Sequence, residues 1–150
     1  MSAADQLRDY KDQLLKTNTW FGVDQSRRAQ VVRVSEPEDS TSSSGSGLRR
    51  VVFHFLVMPR DANGEGVLDE ASLIRLNDDL STVAVMWIQG RIDAAGVSTT
   101  MTSHLRDQAR VGDTVQLECT LTGYSGAFLY SSTRSSSPPS SLDQPSSLEH

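Results

Sequence analysis

The stretch from Glu70 to Ile88 (EASLIRLNDDLSTVAVMWI) limits what this chain can fold into more than any other segment. Its apolar spacing predicts one long helix over that range. Leu73, Leu76, Leu80, Val83, Ala84 and Trp87 make one stripe, and Ile74, Ser81, Val85 and Ile88 make a second beside it. Only the sector of Arg75, Asp79, Thr82 and Met86 is left to face solvent. A helix apolar over most of its circumference is buried, and a single neighbouring helix cannot cover it. Something broader has to wrap it.

The flanking segments supply a sheet. Gln30 to Val34 and Arg49 to Met58 are rich in β-branched and aromatic residues, as strands are. In the second, Val51, Phe53, Phe55 and Val57 alternate with Val52, His54, Leu56 and Met58, so both faces are apolar and the strand belongs inside a sheet. Val97 to His104, Thr114 to Leu121 and Ala127 to Ser132 return to period two, punctuated by Gly112-Asp113 and Tyr124-Ser125-Gly126. Ahead of them, Ser2 to Leu15 places Leu7, Tyr10, Leu14 and Leu15 on one helical stripe. Ser2 and Asp5 stand at capping-box spacing at its start. Thr17 and Asn18 close that helix, and Trp20 and Phe21 follow as expected core anchors. Helix, two strands, long helix, three strands predicts an α+β fold, an antiparallel sheet wrapped around the buried helix.

Serine-rich stretches restrict how much of the chain builds a core. Ser40 to Gly47 and Ser131 to Ser147 read as coil, which leaves about 120 residues for one small domain. That domain is expected over residues 1–134, with an N-terminal helix over about 2–16 and a flexible serine-glycine loop over about 36–47. A serine-proline tail follows over 135–147, and Leu148-Glu149-His150 reads as a tag scar. The lone cysteine, Cys119, excludes an internal disulfide and a four-cysteine zinc site, and its place in a strand pattern predicts a small buried hydrophobe. No apolar run approaches the roughly 18 residues that span a bilayer, and the N-terminus lacks the apolar core of a secretory signal. A net charge of −5 and a pI near 5.1 argue against nucleic-acid binding. The expected setting is cytoplasmic or another intracellular compartment, with no nucleic-acid or membrane partner. His54 and His104 show no paired metal-ligand spacing and read as satisfied strand histidines. Gly64-Glu65-Gly66 lacks the Gly-Lys-Ser/Thr that completes a phosphate loop.

Asp78 is the residue that asks for a chemical explanation. Its helical neighbours are Ile74, Ser81 and Val85, so its carboxylate leaves the helix in a mostly apolar sector, where an ionised group needs a partner or a cavity. A structural aspartate bonded to backbone or to Ser81 satisfies the same pattern. Asp79, with Arg75 one turn before it, reads as a solvated surface acid. Asp69 and Glu70 sit where acids cap a helix start, and Asn63-Gly64 is an ordinary turn signature. Ser98 lies on a strand, where packing explains a serine as well as chemistry does. Arg106 and Arg110, near a strand end, read as a solvated rim within reach of a coenzyme A tail.

The ordered set Asn63-Gly64-Glu65-Gly66-Val67-Leu68, Leu76-Asn77-Asp78-Asp79-Leu80-Ser81-Thr82, Gly96-Val97-Ser98 and Ala109-Arg110-Val111-Gly112-Asp113-Thr114-Val115 resembles the hotdog-fold acyl-CoA thioesterases. The likeness is to the phenylacetyl-CoA-thioesterase-like branch, which includes the thioesterase superfamily members, and runs over roughly Phe53 to Ser132. It implies a hotdog fold and an acyl thioester substrate, coenzyme A-linked or carrier-bound, with no metal or redox cofactor. It implies Asp78 as general base or nucleophile, Asn63 and Ser98 as positioning groups, and the Glu70 N–H as the donor to the thioester oxygen. It also implies a homodimer or homotetramer with sites shared between chains.

The family's His-Gly-Gly is replaced here by Asp69-Glu70-Ala71. A glycine admits a ligand close to the backbone, whereas Glu70 keeps the N–H and adds bulk and charge. Asp69 and Glu70 near Asp78 suit a second chemistry, in which they act as acid–base groups for dehydration, isomerisation or cyclisation of a polyketide- or terpenoid-like intermediate. A binding protein that has lost catalysis is the third reading. The family's final strand is also missing from the pattern, since Arg134 leads into serine and proline, so the protomer is expected to be one edge strand short and to lean on a partner chain.

Overall fold

A computed structural model describes residues 1–17, 23–35, 50–88, 90, 108–125 and 128–136. The elements are α1 (Ala3–Thr17), α2 (Val23–Arg28), β1 (Gln30–Ser35), β2 (Arg50–Leu56), α3 (Glu70–Ile88), β3 (Thr114–Ser125) and β4 (Phe128–Ser136), with a 3₁₀ turn at Pro59–Asp61. The four strands form one antiparallel sheet in the order β1-β2-β3-β4. The expected α+β arrangement is therefore present, and α3 spans the residues its apolar spacing predicts.

Register places the core. Val51 pairs with Cys119, Phe53 with Leu117 and Phe55 with Val115, and all six side chains are buried. They meet Leu73, Leu76, Leu80, Val83 and Ala84 of α3 in one cluster, with Trp87 partly buried against it. The first stripe of α3 is thus the core stripe. Ile74, Ser81, Val85 and Ile88 of the second are half-buried. On the other face of β2, Val52 is buried, His54 half-buried and Leu56 exposed. His54 meets Gln116 across the ladder, Nε2 to Oε1, at 3.1 Å.

At the chain start the Ser2–Asp5 capping box forms in both directions. Ser2 Oγ accepts the Asp5 N–H, and the Asp5 carboxylate accepts the Ser2 N–H, each at 3.2 Å. Leu7, Leu14 and Leu15 are buried as the stripe predicts, and so is Lys11. Its Nζ donates to the carbonyls of Ser26 and Arg27 at 3.0 and 3.1 Å, at the C-terminal end of α2. A cation there meets the negative end of a helix and carbonyls that have no helical partner. Burial holds the Lys11 amine below its usual range, with Asp12 opposing that shift.

Four expectations need correction. Helix α2 occupies a segment with no predicted element, because six residues are too few to show a period. It covers the α3 sector expected to face solvent: Met86 is buried, and Arg75 and Asp79 are half-buried. β2 ends at Leu56, short of Met58. Thr133 to Ser136, beyond the strand expected at Ala127 to Ser132 and read as coil, continue β4, since the ladder from Cys119↔Thr133 to Gln116↔Ser136 satisfies their backbone whatever the side-chain propensity. Trp20, Phe21, the 36–47 loop, the strand expected at Val97 to His104, and residues 137–150 lie outside the described residues. Among the described residues no helix is long and apolar enough to cross a membrane.

Replacing Lys11 by Ala removes a buried stem and two charge-assisted bonds and is expected to lower stability by about 2 kcal/mol, read as a shift in urea midpoint. Lys11→Arg, whose fork does not fit the space of a single ammonium, is expected to recover only part of the loss.

Candidate active site

The loop between β2 and α3 is built around one carboxylate. Asp61 is buried. Its Oδ2 accepts the Met58 N–H at 2.8 Å, and its Oδ1 accepts Gln25 Nε2 at 2.9 Å and Arg28 Nη2. Its own carbonyl accepts the Asp69 N–H at 3.1 Å, just before α3 begins. Arg28 also lies over the Phe55 ring, 4.9 Å from its centroid. Burial opposes the charge on Asp61, but the bonds from Arg28, Met58 and Gln25 outweigh it and hold the carboxyl below the usual range.

Asn63 follows in an Asx turn. Its Oδ1 accepts the N–H groups of Glu65 and Val67 at 2.9 and 3.2 Å, which turns the amide Nδ2 outward from the loop. Gly66 supplies the left-handed residue of this turn, at φ +75°. Its carbonyl accepts the Val111 N–H, and Leu68 N–H donates to Ala109, so the loop is stitched to the turn before β3. Arg110, in that turn, is exposed, as its rim reading predicts.

Asp69 is the N-cap of α3. Its Oδ2 accepts the Ser72 N–H at 3.0 Å and its carbonyl accepts the Leu73 N–H. The capping reading of Asp69 thus has its hydrogen bond. Glu70 and Ala71 are exposed in the first turn, where main-chain N–H groups have no intrahelical acceptor. Asp78 lies two turns on and is half-buried, flanked by half-buried Ile74, Ser81 and Val85. Ser81 Oγ donates to the main-chain carbonyl of Asp78 at 3.1 Å, not to its carboxylate. Within one chain the backbone rises about 12 Å from Glu70 to Asp78, which separates the first-turn N–H from the carboxylate by more than one carbonyl spans. Ser98 lies outside the described residues, as do Arg106 and His104.

The neighbour of Asp78 departs from expectation. Asp79 is not a solvated surface acid. Ser26 of α2 donates to its Oδ2 at 3.0 Å, while Arg75, on the same flank, donates to Gln25 Oε1 at 2.6 Å. Burial raises the Asp79 carboxyl above its usual range and the charge of Asp78 adds to that, against the opposing Ser26 bond and Arg75. The supporting residues Gln25, Ser26, Arg28 and Asp61 were absent from the sequence reading. Asp24 and Arg28 form an i, i+4 ion pair, the available signal for α2. Proline three residues before Ala62, with aspartate at the end of the turn, was the signal for Asp61. Cys119 is buried in β3, as expected.

The described arrangement is similar to that of solved structures. Zebra fish thioesterase superfamily member 2 superposes with a TM-score of 0.70 at 16% identity, over 91% of this chain and 88% of that one. Mouse (Mus musculus) thioesterase superfamily member 2 superposes with a TM-score of 0.65 at 20% identity, over 91% and 86%. The fold is a hotdog. At these identities the likeness carries the fold, and the chemistry has to come from the residues. The sequence matches no protein-family model and no curated protein. In this hotdog, α3 carries Glu70 in its first turn and the candidate base Asp78 two turns on, and the Asp61 knot ties the loop that carries Asn63 to α2.

The two buried carboxylates give opposite pH signatures. Asp61, whose folded pKa is lowered, adds stability above the ordinary carboxylate range, and that stability is lost as pH falls through the folded value. Asp61→Asn is expected to cost about 3 kcal/mol at pH 7, because it removes the buried carboxylate opposite Arg28 and leaves that cation only the exposed Asp24, and to flatten the acid limb of the stability curve. Asp79, whose folded pKa is raised, adds stability below the ordinary carboxylate range that is lost as pH rises through the folded value. Asp79→Asn is expected to stabilise at pH 7 and to lose that advantage near pH 3. Urea titrations of the three proteins between pH 3 and 7 check both signs.

Proposed function

We propose that this hotdog protein is a thioesterase-like enzyme that hydrolyses an acyl thioester, on coenzyme A or a carrier, with Asp78 as its general base. The observation that carries the reading is the placing of Asp78, a carboxylate on the half-buried flank of the hotdog helix whose sequence neighbourhood resembles the thioesterase motif. Water attacks the thioester carbon and gives a proton to Asp78, while the Glu70 N–H receives the oxyanion at the open end of the helix. When the tetrahedral intermediate collapses, the C–S bond breaks and the thiolate takes the proton back from Asp78. Attack by the Asp78 carboxylate itself, through an anhydride that water then opens, uses the same residue. Asn63 Nδ2 and the Ser98 hydroxyl position the water and the carbonyl.

The 12 Å between Glu70 and Asp78, about the rise of eight helical residues, favours a homodimer in which Asp78 of one copy faces the loop of the other. A homotetramer is a pair of such dimers. The acid–base alternative uses Asp69 and Glu70 beside Asp78; the Ser72 N–H donated to the Asp69 carboxylate supports capping for the first of them and favours hydrolysis.

Asp78→Asn is expected to lower kcat/KM on a panel of acyl-CoA thioesters by about 10²- to 10⁴-fold, the usual worth of a general base, with thermal stability retained. Turnover equal to wild type would overturn the assignment. Mixing Asp78→Asn with Asn63→Ala protein is expected to restore part of the activity if the site is shared between copies.

A further inference from the structure

We propose that Oδ1 of Asn77 accepts a hydrogen bond from a donor group on the thioester ligand, close to its carbonyl. This rests on the thioesterase reading and deepens it by adding a binding group. Asn77 precedes Asp78 on α3. It lies between the core stripe, with Leu73 and Ala84 one and two turns away, and the half-buried Ile74 and Ser81 beside Asp78. Its Oδ1 is buried and has no hydrogen-bond partner among the described residues.

Nothing among the described residues explains that combination. Buried amide oxygens without a partner are rare in folded proteins because the group gives up water for nothing. Asparagine is also a poor residue for a helix interior, since its side chain competes for backbone bonds. At this position, on the border of an apolar stripe, leucine or valine would suit both the helix and the packing. A residue that breaks the local pattern without gain to the fold marks a site where function decides. A neutral acceptor also suits the position electrostatically, because a carboxylate there would repel Asp78.

The chemistry of the oxygen defines the ligand group. It accepts only, so the partner is an N–H or an O–H. A coenzyme A or carrier-bound thioester carries amide N–H groups in the arm that leads to its sulfur, and a hydroxylated acyl chain carries an O–H. Both present a donor near the reacting carbonyl. If the donor is the acyl hydroxyl, the site discriminates against the deoxy chain, because a buried polar group left unpaired penalises the wrong substrate.

The test uses two non-hydrolysable 2-oxoalkyl thioethers of coenzyme A, identical except for a hydroxyl on the alkyl chain. Their binding to wild type, Asn77→Val and Asn77→Ala is measured by calorimetry, with thermal unfolding and light scattering of each protein. Both variants are expected to fold at least as stably as wild type, and Asn77→Ala removes any steric effect of valine. An acyl hydroxyl as donor predicts that the variants lose about tenfold in affinity for the hydroxylated analogue alone. An arm amide as donor predicts the same loss for both analogues. Wild-type affinity for both analogues in both variants overturns the proposal and leaves the thioesterase reading standing. A changed subunit number in the variants overturns it in favour of a second copy as the donor. If wild type binds neither analogue, this proposal and the thioesterase reading fall together.

Discussion

The buried carboxylate of Asp61 ties together the parts that have to be placed for a site to exist. One oxygen takes the backbone N–H of Met58, just before the 3₁₀ turn, the other takes side chains from α2, and the residue's own carbonyl holds the chain at the start of α3. A charge taken out of water is costly unless it is paired and fully bonded. Any drift of the loop would leave Asp61, Arg28 or both in that condition. The position of Asn63 and the direction of the first turn of α3 are therefore set relative to the sheet by electrostatics, with hydrophobic packing of α3 supplying the bulk of the stability. Arg28 is committed from two sides, since it lies over Phe55 in the core strand.

Most of the hotdog was legible from apolar periodicity. α3 shows its bounds because Leu73, Leu76, Leu80 and Val83 repeat at helical spacing, and β2 shows itself because Phe53 and Phe55 sit in an alternating run. The failures lie where periodicity carries no information. Helix α2 is held by the charged and polar side chains of Lys11, Gln25, Ser26 and Arg28, none of which registers as hydrophobic pattern. β4 carries Ser131, Ser132, Ser135 and Ser136 in strand because β3 offers them a ladder, a tertiary effect that residue propensity cannot report.

The site was legible as a list of residues and not as an arrangement. Asp78 stood out because an acid in an apolar sector of a helix demands a reason, and its half-buried setting keeps that demand. Asp79 was misjudged for an instructive reason. A helical wheel knows only the helix, and it assigned to solvent a sector that α2 covers through Ser26 and Gln25. Of the adjacent acids, the one expected to be free is thus engaged in a polar seam between helices, which leaves Asp78 facing the flank shared with Asn77, Ser81 and Ile74.

Asp69-Glu70-Ala71, standing where the thioesterases that the sequence resembles carry His-Gly-Gly, is intelligible in the same terms. Two glycines at the first turn of a helix cost conformational entropy and leave the start weakly specified. Here Asp69 caps the turn through Ser72, Glu70 is favoured by the positive end of the helix, and Ala71 is the best helix former available. The main-chain N–H that the proposed mechanism uses in that turn is one that every residue but proline retains, and its direction is fixed by the helix and not by the side chain attached. Glu70 is exposed. Relative to a glycine pair, Asp69-Glu70-Ala71 gives up open space beside the backbone and gains a better-anchored helix start.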